Sequence, residues 1–167
     1  MPAVRWLTPR LALLVATMAI VPDAQATTRL TLELTSYTTI TQTHETPPTG
    51  KPHKGDSIDF KDLLVTTADQ LGKAKGKPVG YDAGIVLYTS ATTQTIFGVT
   101  TFPGFGTLTF KGAMKTLKDG TVHIAIVSGS GAFKGTKGTL IIGAGNQKAP
   151  NTYLLTLPHP LAPPGSA

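Results

Sequence analysis

Hydrophobic and polar residues alternate along much of this chain. In TLTFKGAMK, residues 107–115, the apolar side chains of Leu108, Phe110 and Met114 share one parity, and threonines and lysines occupy the other. The segment RLTLELTSY, residues 29–37, repeats the pattern with leucine against threonine and glutamate. A period of two is typical of a β-strand with one buried face, and β-branched threonine suits a pleated surface.

Six further segments have strand-like composition and are bounded by Gly, Pro, Asp or Asn. One segment, FKDLLVTTADQLG, has a short pattern of apolar residues with helical spacing, but its composition fits a strand as well. Together the segments predict eight short strands, which is typical of a β-sandwich or a closed barrel. The six are SIDFKDLLVT, GYDAGIVLYT, TQTIFGVTTF, TVHIAIVS, GTLIIG and NTYLLTL.

The first 26 residues have the three parts of a secretory signal peptide. Two arginines precede an apolar run from Leu11 to Val21, and Ala24-Gln25-Ala26 forms a small-x-small cleavage site. The apolar run is well short of the roughly 20 residues that a membrane-spanning helix needs. We therefore expect export, cleavage after Ala26, a secreted location and no stable membrane anchor.

The remaining chain is expected to form a single domain. Residues 27–157 carry all eight predicted strands, enough for one core. Residues 43–56 are rich in Pro, Gly and charge and predict a mobile loop after the first strand. The tail, residues 158–167, has no apolar period and is expected to be disordered.

Net charge and cysteine content limit the kinds of site and partner that the chain can have. The formal net charge is +6 and there is no cysteine, so neither a disulfide nor a thiolate metal site is possible. After Ala26 the chain has a single arginine, Arg29, and its lysines are scattered through turn-like segments. Nucleic-acid readers usually favour arginine with interleaved aromatic residues, so we expect a solvated basic surface and no nucleic-acid partner.

The segment SGSGAFKGTKG, residues 128–138, has four glycines between two apolar runs. Its glycine spacing fits neither the G-x-G-x-x-G dinucleotide fingerprint nor the Walker loop, and a strand-like segment follows where both need a helix. The glycines are therefore expected to permit close chain approach and positive φ at a tight β connection, with Gly131 and Gly138 at positive φ.

The same segment resembles the signature G-G-T-G-x-F-R-x-A-R-G of allene oxide cyclases, dirigent proteins and their bacterial relatives. KGDSIDF, KDLL and GKPVGYDAG are similar to segments of the bacterial members and occur in the same order, so the resemblance covers residues 54–157. Laid without gaps, Gly129, Gly131, Phe133 and Gly138 match; Ser130 replaces Thr, Lys134 and Lys137 replace Arg, Ser128 replaces Gly, and Thr136 replaces Ala.

The resemblance implies an eight-stranded antiparallel barrel, lipocalin-like, with an apolar cavity, and it implies a possible homotrimer. It also implies cyclisation or stereochemical guidance of a small apolar ligand without a cofactor, so that an enzyme of this type would be an isomerase or cyclase. A non-catalytic extracellular protein that binds a ligand or a partner is the alternative, since an eight-stranded barrel can be filled or can hold one small ligand.

The alternation of side chains between the two faces of a strand indicates three candidate catalytic residues. Asp62 shares a face with the apolar Ile58 and Phe60 if its strand is unbroken. A carboxyl on an apolar face is desolvated, which disfavours its ionised form and suits a general acid or base. Asp82 and Tyr88 share a face of the next strand and are expected to polarise an oxygen of the ligand.

Alternatives stay open for these residues. A bulge or the strand end could return Asp62 to solvent, and tyrosines such as Tyr88 often cap barrels with the hydroxyl in water. The four histidines lack a ligand spacing such as H-x-x-x-H, so neither a metal nor any other cofactor is expected. The sequence leaves open which face lines the cavity.

Overall fold

The computed structural model describes residues 27–45, 50–143 and 150–162. The predicted signal peptide, residues 1–26, lies outside them, as do residues 46–49 of the predicted mobile loop. No helix within the described ranges is long and apolar enough to cross a membrane.

Eight antiparallel strands form a closed barrel in which each strand pairs with its neighbours in sequence. The predicted fold class is therefore confirmed, and FKDLLVTTADQLG is a strand in its first part. The strands are β1 (Thr28–His44), β2 (Ser57–Thr66), β3 (Pro78–Tyr88), β4 (Gln94–Phe102), β5 (Gly106–Ala113), β6 (Val122–Gly129), β7 (Lys137–Ile142) and β8 (Asn151–Leu157).

The long first strand closes the barrel. Residues 28–34 of β1 pair with β8, and residues 34–44 pair with β2. The sequence predicts this strand over 29–37 because its apolar alternation stops there, but the polar residues that follow continue in the ladder with β2. A bulge lies between Thr38 and Ile40, and the Thr39 hydroxyl donates a 2.8 Å hydrogen bond to the Lys61 carbonyl there.

The interior is divided along the barrel axis into two halves. One half, here called the packed half, is filled by side chains with almost no exposed surface, and the Phe102 ring contacts Phe133 and Tyr153 at centroid distances of 5.4 and 6.2 Å. The other, the cavity half, leaves space between its walls. The packed half includes Leu32, Leu34, Leu64, Phe102, Leu108, Phe133, Tyr153, Leu155 and Leu157.

The glycine-rich segment connects β6 to β7 through a 3₁₀ turn, Gly131–Phe133, that inserts the Phe133 ring into the packed half. Gly131 has φ 59°, as predicted, and a Cβ there would meet the Phe105 carbonyl oxygen. The prediction of positive φ at Gly138 is wrong. Gly138 is required because a Cβ would meet the Leu154 carbonyl oxygen of the paired strand.

The tail follows β8, which ends at Leu157 as the sequence predicts. Of the tail residues, 158–162 are described, and Leu161 packs against the barrel core. An apolar contact therefore holds the start of the tail against the barrel, which the composition of the tail does not indicate.

Candidate functional site

The cavity half encloses about 350 Å³, which is within the size range of small-molecule sites. Its wall is mostly apolar, and its polar groups come from β1, β2, β3 and β8. The lining residues are Ser36, Thr38, Ile58, Phe60, Asp62, Asp82, Val86, Ile96, Phe110, Met114, Leu140, Ile142, Gly143 and Asn151. The cavity is thus suited to a small, largely apolar molecule oriented by a few polar groups.

Two carboxyl groups lie where the cavity meets the packed half. Asp62 of β2 and Asp82 of β3 are directly opposite each other in the strand register. Beyond Asp62 on the inner face of β2 comes the fully buried Leu64, whereas Ile58 and Phe60 on the other side line the cavity. The two acids therefore form part of the cavity floor.

Asp82 is held from the packed half by a tyrosine. The Tyr153 hydroxyl donates to the Asp82 carboxyl, with distances of 2.9 Å to Oδ2 and 3.1 Å to Oδ1, and accepts a 3.3 Å hydrogen bond from the Thr100 hydroxyl. Asp82, Thr100 and Tyr153 are 3%, 0% and 0% exposed. This buried network fixes the orientation of the carboxyl at the cavity floor.

Burial raises the pKa of Asp82 from 3.8 to about 7. Desolvation is the main cause, because the ionised form loses its hydration, and the nearby Asp62 adds a smaller upward contribution. The hydrogen bond from Tyr153 and the nearby Thr100 hydroxyl, which donates to Tyr153, oppose the rise. The pKa of Tyr153 is also raised, above 10, mainly by burial and then by Asp82, so the phenol keeps its proton and acts as a donor.

Asp62 is partly buried and lines the cavity, as its parity indicates. Its Oδ2 accepts a 3.0 Å hydrogen bond from the Ser36 hydroxyl of β1. Its Oδ1 is buried and has no hydrogen-bond partner among the described residues. A buried acceptor without a donor is unfavourable, so the Asp62 carboxyl is incompletely satisfied by the described residues.

Tyr88 shares the inner parity of Asp82 but is not among the residues that line the cavity. It is partly exposed and ends β3, where it pairs with Gln94. Six residues along a strand separate two Cα atoms by roughly 20 Å, so sharing a face does not bring the side chains together. The hydroxyl that reaches Asp82 belongs to Tyr153.

Alternation along β8 could by itself have indicated Tyr153 as a candidate site residue. In NTYLLTL it shares a face with Leu155 and Leu157, whereas Thr152 and Thr156 lie on the other face, so a phenol on the more apolar face is visible in the sequence. Its pairing with Asp82 depends on the closure of the barrel, because 71 residues separate the two along the chain. Ser36 was missed because its hydrogen bond to Asp62 depends on the register between β1 and β2.

Within the described ranges no group of three or more His, Asp or Glu residues is placed to hold a metal ion.

No family model matches the sequence, and no curated protein matches it. Solved structures do match. Pyocyanin demethylase aligns with a TM-score of 0.61 and 22% identity, over 76% of this chain and all of that chain. The pterocarpan synthase dirigent protein PsPTS1 aligns with a TM-score of 0.54 and 19% identity, over 80% of this chain and 94% of its own.

A third structure, AbnU, an exo-specific intermolecular Diels-Alderase, aligns with a TM-score of 0.57 and 13% identity, over 78% of this chain and 98% of its own. These names describe different reactions, so the likenesses concern the fold. They agree with the expectation from the glycine-rich segment. The chain has the β-barrel fold of the dirigent and cyclase-like proteins.

Proposed function

We propose that the protein binds a small, largely apolar organic molecule in the cavity half and guides its cyclisation or another isomerisation without a cofactor. The observation that carries the proposal is Asp82, an acid that is 3% exposed at the floor of an apolar cavity. Acidic side chains with shifted pKa values in cavities are typical of catalytic sites. The names of the structural neighbours, all of which describe chemistry on small organic molecules, support the same class of function.

The two acids supply a route for a proton. With a pKa of about 7, Asp82 can donate a proton near neutral pH to an oxygen or carbon of the ligand. An isomerisation changes no atom count, so an equivalent proton must leave the ligand elsewhere, and Asp62 is placed to accept it. A final proton transfer between the acids, directly or through water, restores the starting state.

The alternative is a protein that only binds its ligand. The apolar wall serves binding and catalysis equally well. A carrier of an uncharged ligand has no need of a carboxyl whose burial is unfavourable. The position of Asp82 at the cavity floor, with a tyrosine orienting it, favours catalysis.

We also propose that the protein is exported and that its copies associate, as a homotrimer. The three-part leader supports export, and sequencing of secreted protein should begin at Thr27. Association is supported by a row of apolar side chains on the outer face, where Tyr37, Leu63 and Tyr81 are cross-strand neighbours and are 51%, 37% and 37% exposed.

The function is tested by screening small aromatic and alicyclic compounds against the purified protein by native mass spectrometry. Because isomerisation leaves mass unchanged, each bound compound is then followed by NMR for conversion. We expect the wild type to convert at least one, Asp82→Asn to bind without conversion, and Asp59→Asn to behave as wild type, since the Asp59 side chain is half exposed. Binding without conversion by the wild type would favour the carrier.

A further inference from the structure

The cavity lining combines two acids with no basic side chain. Asp62 and Asp82 are present, and no Lys, Arg or His is among the described residues that line the cavity. This composition is opposite to that of the whole chain, whose formal net charge is +6. On β2 itself, Lys61 lies on the outer face with its Nζ 4.9 Å from the centre of the Tyr81 ring. The basic charge is therefore kept outside the cavity.

The described residues that line the cavity supply no positive charge to the two carboxyl groups. They are direct cross-strand neighbours, and like charges at such positions repel each other. Polar groups near Asp62 are the Ser36 hydroxyl, its cross-strand neighbour Thr38 and Asp82 itself, and none of them is basic. Behind Asp82 lies the neutral phenol of Tyr153. The buried Oδ1 of Asp62 has no donor within the part of the chain that the structure describes.

The wall beside these acids offers aromatic surface. Phe60, on the same face of β2 as Asp62, and Phe110 of β5 both line the cavity. Aromatic faces attract cations, and they also stack on flat rings. Next to partly buried groups the effective dielectric constant is lower than in water, so a cation is attracted by the carboxylate and by the rings more strongly than in solution.

We propose that the ligand of the cavity is a flat aromatic or heteroaromatic molecule that carries a positive charge or acquires one on protonation. This inference rests on the proposed function and names its substrate class. The Asp62 carboxylate in the cavity wall would neutralise the cation, while Asp82 donates or accepts the proton. A cation formed by proton transfer from Asp82 during an isomerisation would be stabilised in the same way.

Two probes of matched shape test the charge. 1-Methylquinolinium is a cation, and 1-methylnaphthalene is its neutral isostere; both are titrated into the purified protein by calorimetry. We expect the cation to bind on the order of tenfold more tightly or better, a difference that one partly desolvated charge pair can supply. Methyl resonances of Ile58, Val86 and Leu140 should shift with either probe, which places the binding in the cavity.

Two matched variants identify the group responsible. Asp62→Asn should reduce the affinity for the cation to that for the neutral isostere. Asp59→Asn removes a carboxyl from the same strand at a half-exposed position and should leave the preference unchanged. The comparison of probes on the wild type needs no variant, so it remains decisive if Asp62→Asn does not fold.

The two proposals fail in different ways. If the neutral isostere binds in the cavity as tightly as the cation, or if Asp62→Asn keeps the preference, the charge inference is overturned and the binding function stands. If neither probe binds the wild type and the compound screen finds no ligand, the proposed function fails and the charge inference fails with it.

Discussion

The Tyr153 hydroxyl lies 2.9 Å from Oδ2 and 3.1 Å from Oδ1 of Asp82, so one phenol contacts both oxygens of a carboxyl that is almost fully buried. The two residues come from β8 and β3, which are not adjacent in the barrel. Their contact crosses the interior and separates the cavity half from the packed half. The arrangement leaves the acid fixed from one side and accessible to a ligand from the other.

The buried acid makes stability depend on pH. Because its pKa is about 7 in the folded state against an ordinary 3.8, the folded state holds the proton more tightly. The associated stabilisation is complete below about pH 4 and is lost as pH rises through about 7, for a total of about 4 kcal/mol. Urea unfolding of Asp82→Asn from pH 4 to 8 should lack this decline.

Glu33→Gln is the control for that series, since it removes an exposed carboxyl from the outer face of β1. Its free energy of unfolding should follow the wild-type pH dependence. Parallel curves for wild type and Asp82→Asn would show that the acid does not titrate in the predicted range.

Removing the tyrosine hydroxyl should raise the pKa of Asp82 further. In Tyr153→Phe the ring packing is kept, but the ionised carboxyl loses its donor and Thr100 loses its acceptor. We expect a loss of stability of about 1–3 kcal/mol. A carboxyl-carbon NMR titration should place the Asp82 midpoint above its wild-type value. Tyr37→Phe, at an exposed position, is the control, and an unchanged midpoint in Tyr153→Phe would contradict the role given to the hydroxyl.

The fold could be predicted because each strand and each connection between consecutive strands is recognisable from a short segment of the sequence. Alternation along each strand shows which side chains must be buried, and connections of at most about a dozen residues favour pairing between strands that are consecutive in sequence. The end of β8 at Leu157 was predicted correctly, since the apolar alternation stops there. The extension of β1 to His44 was not, because exposed polar residues form a ladder only when the partner strand is present.

The site was less predictable because it is assembled across strands. Parity gives the inner face, and it indicated Asp62 and Asp82, which line the cavity. Alternation does not show how far along the barrel axis a residue lies. It therefore led to the prediction that Tyr88 and Asp82 act together, although they lie six positions apart in the strand. The register of β8 against β1 and β7 sets the height of Tyr153, and no single strand contains that information.

The turn before β7 should tolerate no side chain at Gly131. An alanine there would adopt φ near 59° and place its Cβ against the Phe105 carbonyl oxygen. We expect Gly131→Ala to destabilise the protein by roughly 1–3 kcal/mol, measured by thermal melting. Gly112→Ala is a suitable control because the nearest atoms to its Cβ would be 3.6 Å away. Equal melting temperatures for the two variants would reject the assigned turn geometry.

The outer apolar row should control self-association. Leu63 lies between Tyr37 and Tyr81 on the outer face, so Leu63→Glu introduces a charge into the centre of the row. We expect a change from trimer to monomer in light scattering after size exclusion. Val127→Glu, at a 44% exposed position on the opposite side of the barrel, should remain assembled. A monomeric wild type, or assembly that survives Leu63→Glu, would reject this surface as the interface.

Cavity size should depend on a glycine behind one of its aromatic walls. A Cβ at Gly98 of β4 would lie 2.6 Å from Cε2 of Phe110 on the paired strand, so the ring must move. Movement into the cavity would shrink the 350 Å³ available to a ligand, and overpacking should cost roughly 1–3 kcal/mol. Calorimetry with 1-methylquinolinium should show weaker binding to Gly98→Ala than to Gly112→Ala, a substitution on the same strand as Phe110 that meets no close contact. Equal affinities for the two variants would mean that Phe110 does not limit the space for the ligand.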